Sequence, residues 1–370
     1  MRHWSPVLVW RTVPVLLCGL LLSWPAYADI TLGSDARSVG MGGAGLASGD
    51  SPDTANLNPA SLADTGARFG VQWPSATMHM QGAGYGDAIK LIGNPSLSAA
   101  DALHMAITLG ENTTQLDATA SAGVLLPKMD LQATAAIRTE LLPNEAFKRW
   151  VHGGNQGTPS SDARADLYAG GLATLPSVGL GVHVPLPGMQ GRLAVGVRVK
   201  PSTAYYSHYI IDGNAVLAGQ PLLAAEMGGN NYLSQRSFSA DLGFTYTPAR
   251  MPNARFAVVV NNLLEPKAIA FAAASPDGLF AKQMSPRSIS AGVALVGQYS
   301  TLAADLVDIG GAYGKAQVRI GGEVRAPGNV LALRGGYNST TGFTAGLGLG
   351  SFGIAISRQT PVMLSQSITF

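Results

Sequence analysis

Few of the residues that commonly carry chemistry are spaced for it. His3, His79, His104, His152, His183 and His208 are scattered, with no HxxxH or HxH pair, so no metal site is expected. No GxSxG elbow occurs, and no Ser/His/Asp set stands out. His183 lies in Val182-His-Val184, where alternation makes it a polar interior residue rather than a base. Gly40-Met-Gly42-Gly43-Ala-Gly45 spells GxGxxG. A dinucleotide fingerprint needs a strand before it, a helix after it and an acid ~20 residues on. Here the motif runs into Ser48-Gly-Asp-Ser-Pro, which is turn chemistry. The chain reads as no enzyme and as needing no cofactor.

The first 28 residues read as a signal peptide. Arg2, His3 and Arg11 precede an apolar stretch, Val13 to Leu22, and Ala26-Tyr27-Ala28 supplies the small-x-small cleavage pattern. Cleavage would remove Cys18, the only cysteine, and with it any disulfide, thiolate metal site or thiol nucleophile. It would also take Arg2 and Arg11 from the 24 basic residues, leaving 22 against 22 acids. A near-neutral chain excludes a nucleic-acid partner, which wants a basic surface.

Charged residues make up 12% of the chain, about half the ~25% usual in soluble domains, and mean hydropathy is +0.19. Much of the exterior is therefore expected to face lipid. Helices cannot do this, because no stretch after residue 28 gives ~20 apolar residues free of proline and glycine clusters. Period-two alternation recurs instead. Phe238, Ala240, Leu242, Phe244 and Tyr246 oppose Ser239, Asp241, Gly243, Thr245 and Thr247. Leu193, Val195, Val197 and Val199 oppose Arg192, Ala194, Gly196, Arg198 and Lys200. The same pattern sets Val318, Ile320 and Val324 against Arg319, Glu323 and Arg325, and Phe343, Ala345, Leu347 and Leu349 against Thr344 and three glycines.

An arginine facing lipid at the midplane costs ~2–4 kcal/mol. Arg192, Arg198, Lys200, Asp241, Arg319, Glu323, Arg325 and Arg334 are therefore expected to face a lumen. The fold class is all-β: an antiparallel transmembrane β-barrel, closed because open sheet edges are not tolerated in hydrocarbon. Sixteen strand-like stretches are visible, and with mergers about 14 strands are expected. The first two lie near 66–74 and 77–90, and another pair near 165–174 and 178–185. Long connections at 142–164, 201–235 and 263–286 are assigned to the extracellular side. Tyr205, Tyr206 and Tyr209 suit an interfacial girdle, and Pro95 to Asn112 has helical spacing.

Both ends of the chain carry family signals. The C-terminus places Leu364, Ile368 and Phe370 at alternate positions, interrupted by Gln366. This resembles the assembly signal read by the barrel-assembly machinery of outer membranes. Near the N-terminus, Ala36-Arg-Ser-Val-Gly-Met-Gly-Gly-Ala-Gly45 is followed by Asn56-Leu-Asn58-Pro59-Ala60. Together these resemble the N-terminal region of the FadL/TodX-type outer-membrane barrel superfamily. Arg334-Gly-Gly-Tyr337 looks closest to its PorV-like and TraF-like (conjugal transfer) branches.

The resemblance implies a signal peptide at 1–28, a plug at 29–65 inside the lumen and a barrel at 66–370, in the outer membrane of a Gram-negative bacterium. It implies plug or gate roles for Gly40, Gly42, Gly43, Gly45, Asn56, Asn58, Pro59 and Ala60. Glycine allows tight turns in a narrow lumen, and Pro59 holds Asn58 extended. Two functions follow from it: a passive uptake channel for small hydrophobic molecules, or a non-transporting barrel that docks proteins of a conjugation or secretion apparatus.

Overall fold

The computed structural model describes residues 35–49, 52–65, 69–81, 114–152, 158–185, 187–188, 190–212, 214, 232–265, 269–272, 279–282, 286–312, 315–357 and 363–369. The expected signal peptide, the start of the mature chain, the helix at Pro95 to Asn112 and the terminal Phe370 lie outside them.

Fourteen strands form a closed antiparallel ring. They are β1 (Gly70–Gln81), β2 (Thr114–Leu126), β3 (Met129–Pro143), β4 (Arg164–Val184), β5 (Gly191–Asp212), β6 (Tyr232–Pro248), β7 (Ala254–Asn261), β10 (Ser288–Val296), β11 (Ser300–Val307), β12 (Gln317–Arg325), β13 (Leu331–Asn338), β14 (Gly342–Leu349), β15 (Phe352–Ser357) and β16 (Met363–Thr369). A separate hairpin, β8 (Ile269–Ala272) and β9 (Leu279–Lys282), lies between β7 and β10 in sequence. Neighbours in the ring follow chain order, β7 pairs with β10, and β1 pairs with β16 to close it.

The alternation decides which way each face turns. Leu302, Val324, Leu333, Phe343 and Ile356 are exposed on the outside, Phe343 by 80%. Thr301, Asp305, Arg319, Glu323 and Thr344 on the opposite parity are buried. An exposed apolar belt of this extent belongs against lipid, and a closed ring leaves no unpaired edge there. The fold is that of a transmembrane β-barrel. Among the described residues no helix is long and apolar enough to cross a membrane, so crossing falls to the strands.

Two prolines explain how sixteen stretches become fourteen strands. β1 runs through the break expected after residue 74, with a register shift between Gln72 and Ser75 that brackets Pro74. β4 runs through the break expected after residue 174, shifting between Thr174 and Val178 around Pro176. Proline cannot donate to the ladder, and a bulge absorbs the missing bond without ending the strand.

The connection expected at 201–235 is shorter than its sequence suggests. β5 continues to Asp212 and β6 begins at Tyr232, so the two strands take in both ends of that stretch. Cross-strand pairing holds this stretch: Ser202 and Ser237 hydroxyls bond at 2.7 Å, and Tyr206 is buried while Tyr205 is exposed. β4 and β5, at 21 and 22 residues, are about twice the 9–11 that a membrane strand needs. The surplus carries this side of the wall roughly 30 Å further, at ~3.3 Å per residue. The connection at 142–164 contains helix α3 (Glu145–His152). Asn144 caps it from Oδ1, which accepts from Phe147 N at 2.8 Å, and Phe147 and Trp150 bury its apolar side.

Residues 35–49 and 52–65 lie within the ring and include three short turns: α1 (Ala36–Gly40), α2 (Pro52–Leu57) and a 3₁₀ helix (Pro59–Asp64). Asp35 caps α1, with Oδ1 accepting from Ser38 N at 2.7 Å.

Candidate functional site: the N-terminal segment in the lumen

The segment touches every strand of the ring. Asn56 meets Gln72 of β1 and Gln132 of β3, and Ala55 and Leu62 pack on Leu125 of β2. Leu62 lies over Gly179 and Gly181 of β4, Pro59 over Gly196 of β5, and Asn58 bonds Thr245 of β6. Ser48 O accepts from Arg255 of β7 at 2.8 Å, and Leu46 lies over Gly292 of β10. Further round, the contacts are Gly45 with Asp305 of β11, Arg37 with Glu323 of β12 and Gly42 with Tyr337 of β13. Thr344 of β14, Gly353 of β15 and Ser365 of β16 complete the circle against Gly40, Ala36 and the Ala36 amide. Most of the segment's side chains are almost wholly buried.

Close approach sets the composition on both sides. A Cβ on Gly42, whose φ is +70°, would sit 2.8 Å from the Tyr337 backbone nitrogen and oxygen. No other residue adopts this conformation freely, and none would fit. On the wall, a Cβ at Gly196, Gly243, Gly321 or Gly336 would strike the backbone or side chain of Asn58, Pro59, Ala60 or Met41. The inward glycines are thus notches that receive the segment.

Asn58 is fully buried and joins three parts of the molecule. Its Oδ1 accepts from Ala60 N at 2.9 Å, capping the 3₁₀ helix. Its Nδ2 donates to Leu46 O at 2.9 Å within the segment, and to Thr245 Oγ1 at 3.1 Å and Phe244 O at 3.3 Å on the wall. Pro59 follows at the first helical position, where a missing N–H costs nothing. Ala60 and Leu62 are fully buried.

The wall's charges are gathered around the segment. Glu323, with 1% of its side chain exposed, receives Arg37 at 3.1 Å, Arg334 at 2.7 Å and Arg325 at 3.3 Å. Asp305 Oδ2 accepts the Gly45 and Leu46 amides at 2.6 and 3.0 Å. Arg198 pairs with Asp130 and donates to Asn56 O at 3.4 Å. Lys200 Nζ lies 2.6 Å from Asp241 Oδ1 and 2.7 Å from Asn262 Oδ1. Arg319 is buried, donating to Gln317 Oε1 at 3.0 Å and to Gly43 O at 3.5 Å. Arg192 stands apart from this group, exposed at the start of β5. β16 includes Leu364 and Ile368, whose backbones pair with Ala76 and Val71 of β1.

Asp130, Asp305, Arg255 and Asp64 were not singled out by sequence. The available signal for Asp305 and Arg255 was a charge on the polar parity of an alternating strand. His183 Nε2 lies 3.3 Å from Asp64 Oδ1, and Oδ2 of the same carboxylate lies 3.7 Å from Arg255 Nη1. Among the described residues no group of three or more His, Cys, Asp or Glu could hold a metal ion. The Gly40–Gly45 motif ends a five-residue helix inside an antiparallel barrel, with no parallel strand beside it.

No family model matches the chain, and no curated protein matches it. Its neighbours among solved structures include toluene transporters and a FadL homologue. The toluene transporter TbuX of Ralstonia pickettii is 14% identical, over 92% of this chain and 97% of that one, with a TM-score of 0.48. The toluene transporter TodX of P. putida is 15% identical, over 92% and 96%, with a TM-score of 0.47. A Pseudomonas aeruginosa FadL homologue is 12% identical over 90% and 95%, with a TM-score of 0.29.

Proposed function

We propose that this chain is an outer-membrane channel for passive uptake of small hydrophobic molecules, closed at rest by residues 35–65. The observation that carries this reading is the segment's contact with all fourteen strands. A lumen occupied by contacts to every strand differs from the open, water-filled lumen of a general porin. Among the described residues the segment meets the wall through noncovalent contacts, so it can shift without breaking the chain. The Gly40–Gly45 and Asn58-Pro59-Ala60 motifs, which resemble those of FadL-type barrels, supply its tightest contacts with the wall.

The test is uptake of a hydrophobic fluorescent probe by cells producing the protein. Pro59→Ala combined with deletion of 33–50 is expected to raise the rate. Unchanged flux, with the barrel folded and present in equal amount, would sink the gating role.

A further inference from the structure

The wall behind the segment and the segment itself carry opposite charge. Around the segment the described inward-facing charges of the strands are Asp130, Asp241, Asp305 and Glu323 against Arg198, Lys200, Arg255, Arg319, Arg325 and Arg334, a net of +2. Arg164 and Asp166, at the far end of β4, lie 4.0 Å apart and cancel. By sequence residues 35–65 have four acids, Asp35, Asp50, Asp53 and Asp64, and one base, Arg37; the described side chains among them, Asp35, Arg37 and Asp64, carry a net of −1.

Three of the wall's acids also have partners on the wall. Glu323 keeps Arg334 and Arg325, Asp241 keeps Lys200 and Asp130 keeps Arg198, whereas Asp305, though opposite Arg319 in register, bonds only the Gly45 and Leu46 amides. Withdrawing the segment therefore leaves three of these four wall carboxylates paired, and Asp305 exchanges two amides for water. Withdrawal uncovers a polar, hydrated surface with a surplus of cations. The surplus includes Arg255, whose contacts with Ser48 O and Asp64 leave with the segment.

We propose that the ring is an anion-preferring pore for which residues 35–65 form a tethered, anionic plug, and that the open state conducts small anions such as chloride. This rests on the closure proposed above but not on the hydrophobic cargo. A null result with the hydrophobic probe and a clear ionic selectivity would separate the two.

The experiment is planar-bilayer recording from the barrel lacking residues 35–65, under a KCl gradient near 0.1 M, where charges act over ~10 Å. Steady conductance is expected, with chloride favoured over potassium by roughly twofold or more, as a charge-lined lumen concentrates its counter-ion. The preference should fade near 1 M salt, where the screening length is ~3 Å. Arg255→Gln with Arg325→Gln brings the net charge of these described wall residues to zero while Arg334 still faces Glu323, and should abolish the preference. A folded deletion barrel that does not conduct, that favours potassium, or that keeps its chloride preference after both substitutions overturns the proposal. If the deletion is not recovered folded, the full chain with Arg37→Gln and Asn58→Ala is recorded instead. Opening bursts that favour chloride support the proposal, and bursts without that preference, or no bursts, overturn it.

Discussion

Replacing Asn58 with alanine should free the segment while sparing the barrel. The substitution removes the 3₁₀ cap, worth ~1 kcal/mol. It also removes the Nδ2 donor from Leu46 O and Thr245 Oγ1, both in surroundings closed to water. A buried group left unpaired costs ~1–3 kcal/mol, and Thr245 can turn its hydroxyl toward a strand carbonyl, so the loss should total about 2–4 kcal/mol. At ~1.4 kcal/mol per factor of ten, the released population rises roughly 30- to 700-fold. Arg37 is the only trypsin site between 35 and 65 and is 7% exposed. Cleavage after Arg37 in detergent then reports release, because proteolysis tracks the open population when opening is fast. N58A should be cut faster by that factor, while in unheated gels the folded barrel should migrate as the unsubstituted protein does. An unchanged cleavage rate would refute the view that Asn58 clamps the segment.

Gly196→Val drives side-chain atoms into Pro59 and Ala60 and should raise trypsin cleavage at Arg37, whereas Gly335→Ala, with nothing within 4 Å of its added Cβ, should leave it unchanged. Glu323→Gln removes the carboxylate on which Arg37, Arg325 and Arg334 converge, and should lower unfolding stability by about 3 kcal/mol in urea titrations. Arg37→Gln should cost less, since Glu323 keeps both wall arginines. In α3, the Lys148 hydrogen bond and charge hold the exposed Glu145 carboxyl below its ordinary value of 4.5. That pair should be fully formed above about pH 4.5 and lost as pH falls through the depressed value, which a carbon-13 titration of Glu145 would show.

The barrel was legible because its signal is local. Phe238 to Thr247 states its two faces residue by residue, and lipid on one side leaves only one way to read them. The prolines at 74 and 176 misled because a bulge is a property of the pair: whether a strand survives depends on its neighbours' register, not on its own sequence. Asn58 stood out by its motif, but its partners did not. Leu46 is twelve residues away, and Thr245 lies 187 residues further on. Asp305 meets Gly45 across 260 residues, and in Ser300 to Val307 it reads only as one acid among alternating apolar residues. Charge on the polar parity says that a residue faces inward; which atom waits there is decided by ring closure.

The ring closes where β1 meets β16, and the segment holds both: Asn56 bonds Gln72 on one side of that seam, and the Ala36 amide bonds Ser365 on the other. The first residues of this region to be synthesised are thus the last to find all their partners. Until the final strand arrives the segment has only part of a socket, so it cannot serve as a finished mould around which the wall is laid. Its docking is instead a signal that the seam is shut, and an unfinished barrel would betray itself by an N-terminus still open to a protease.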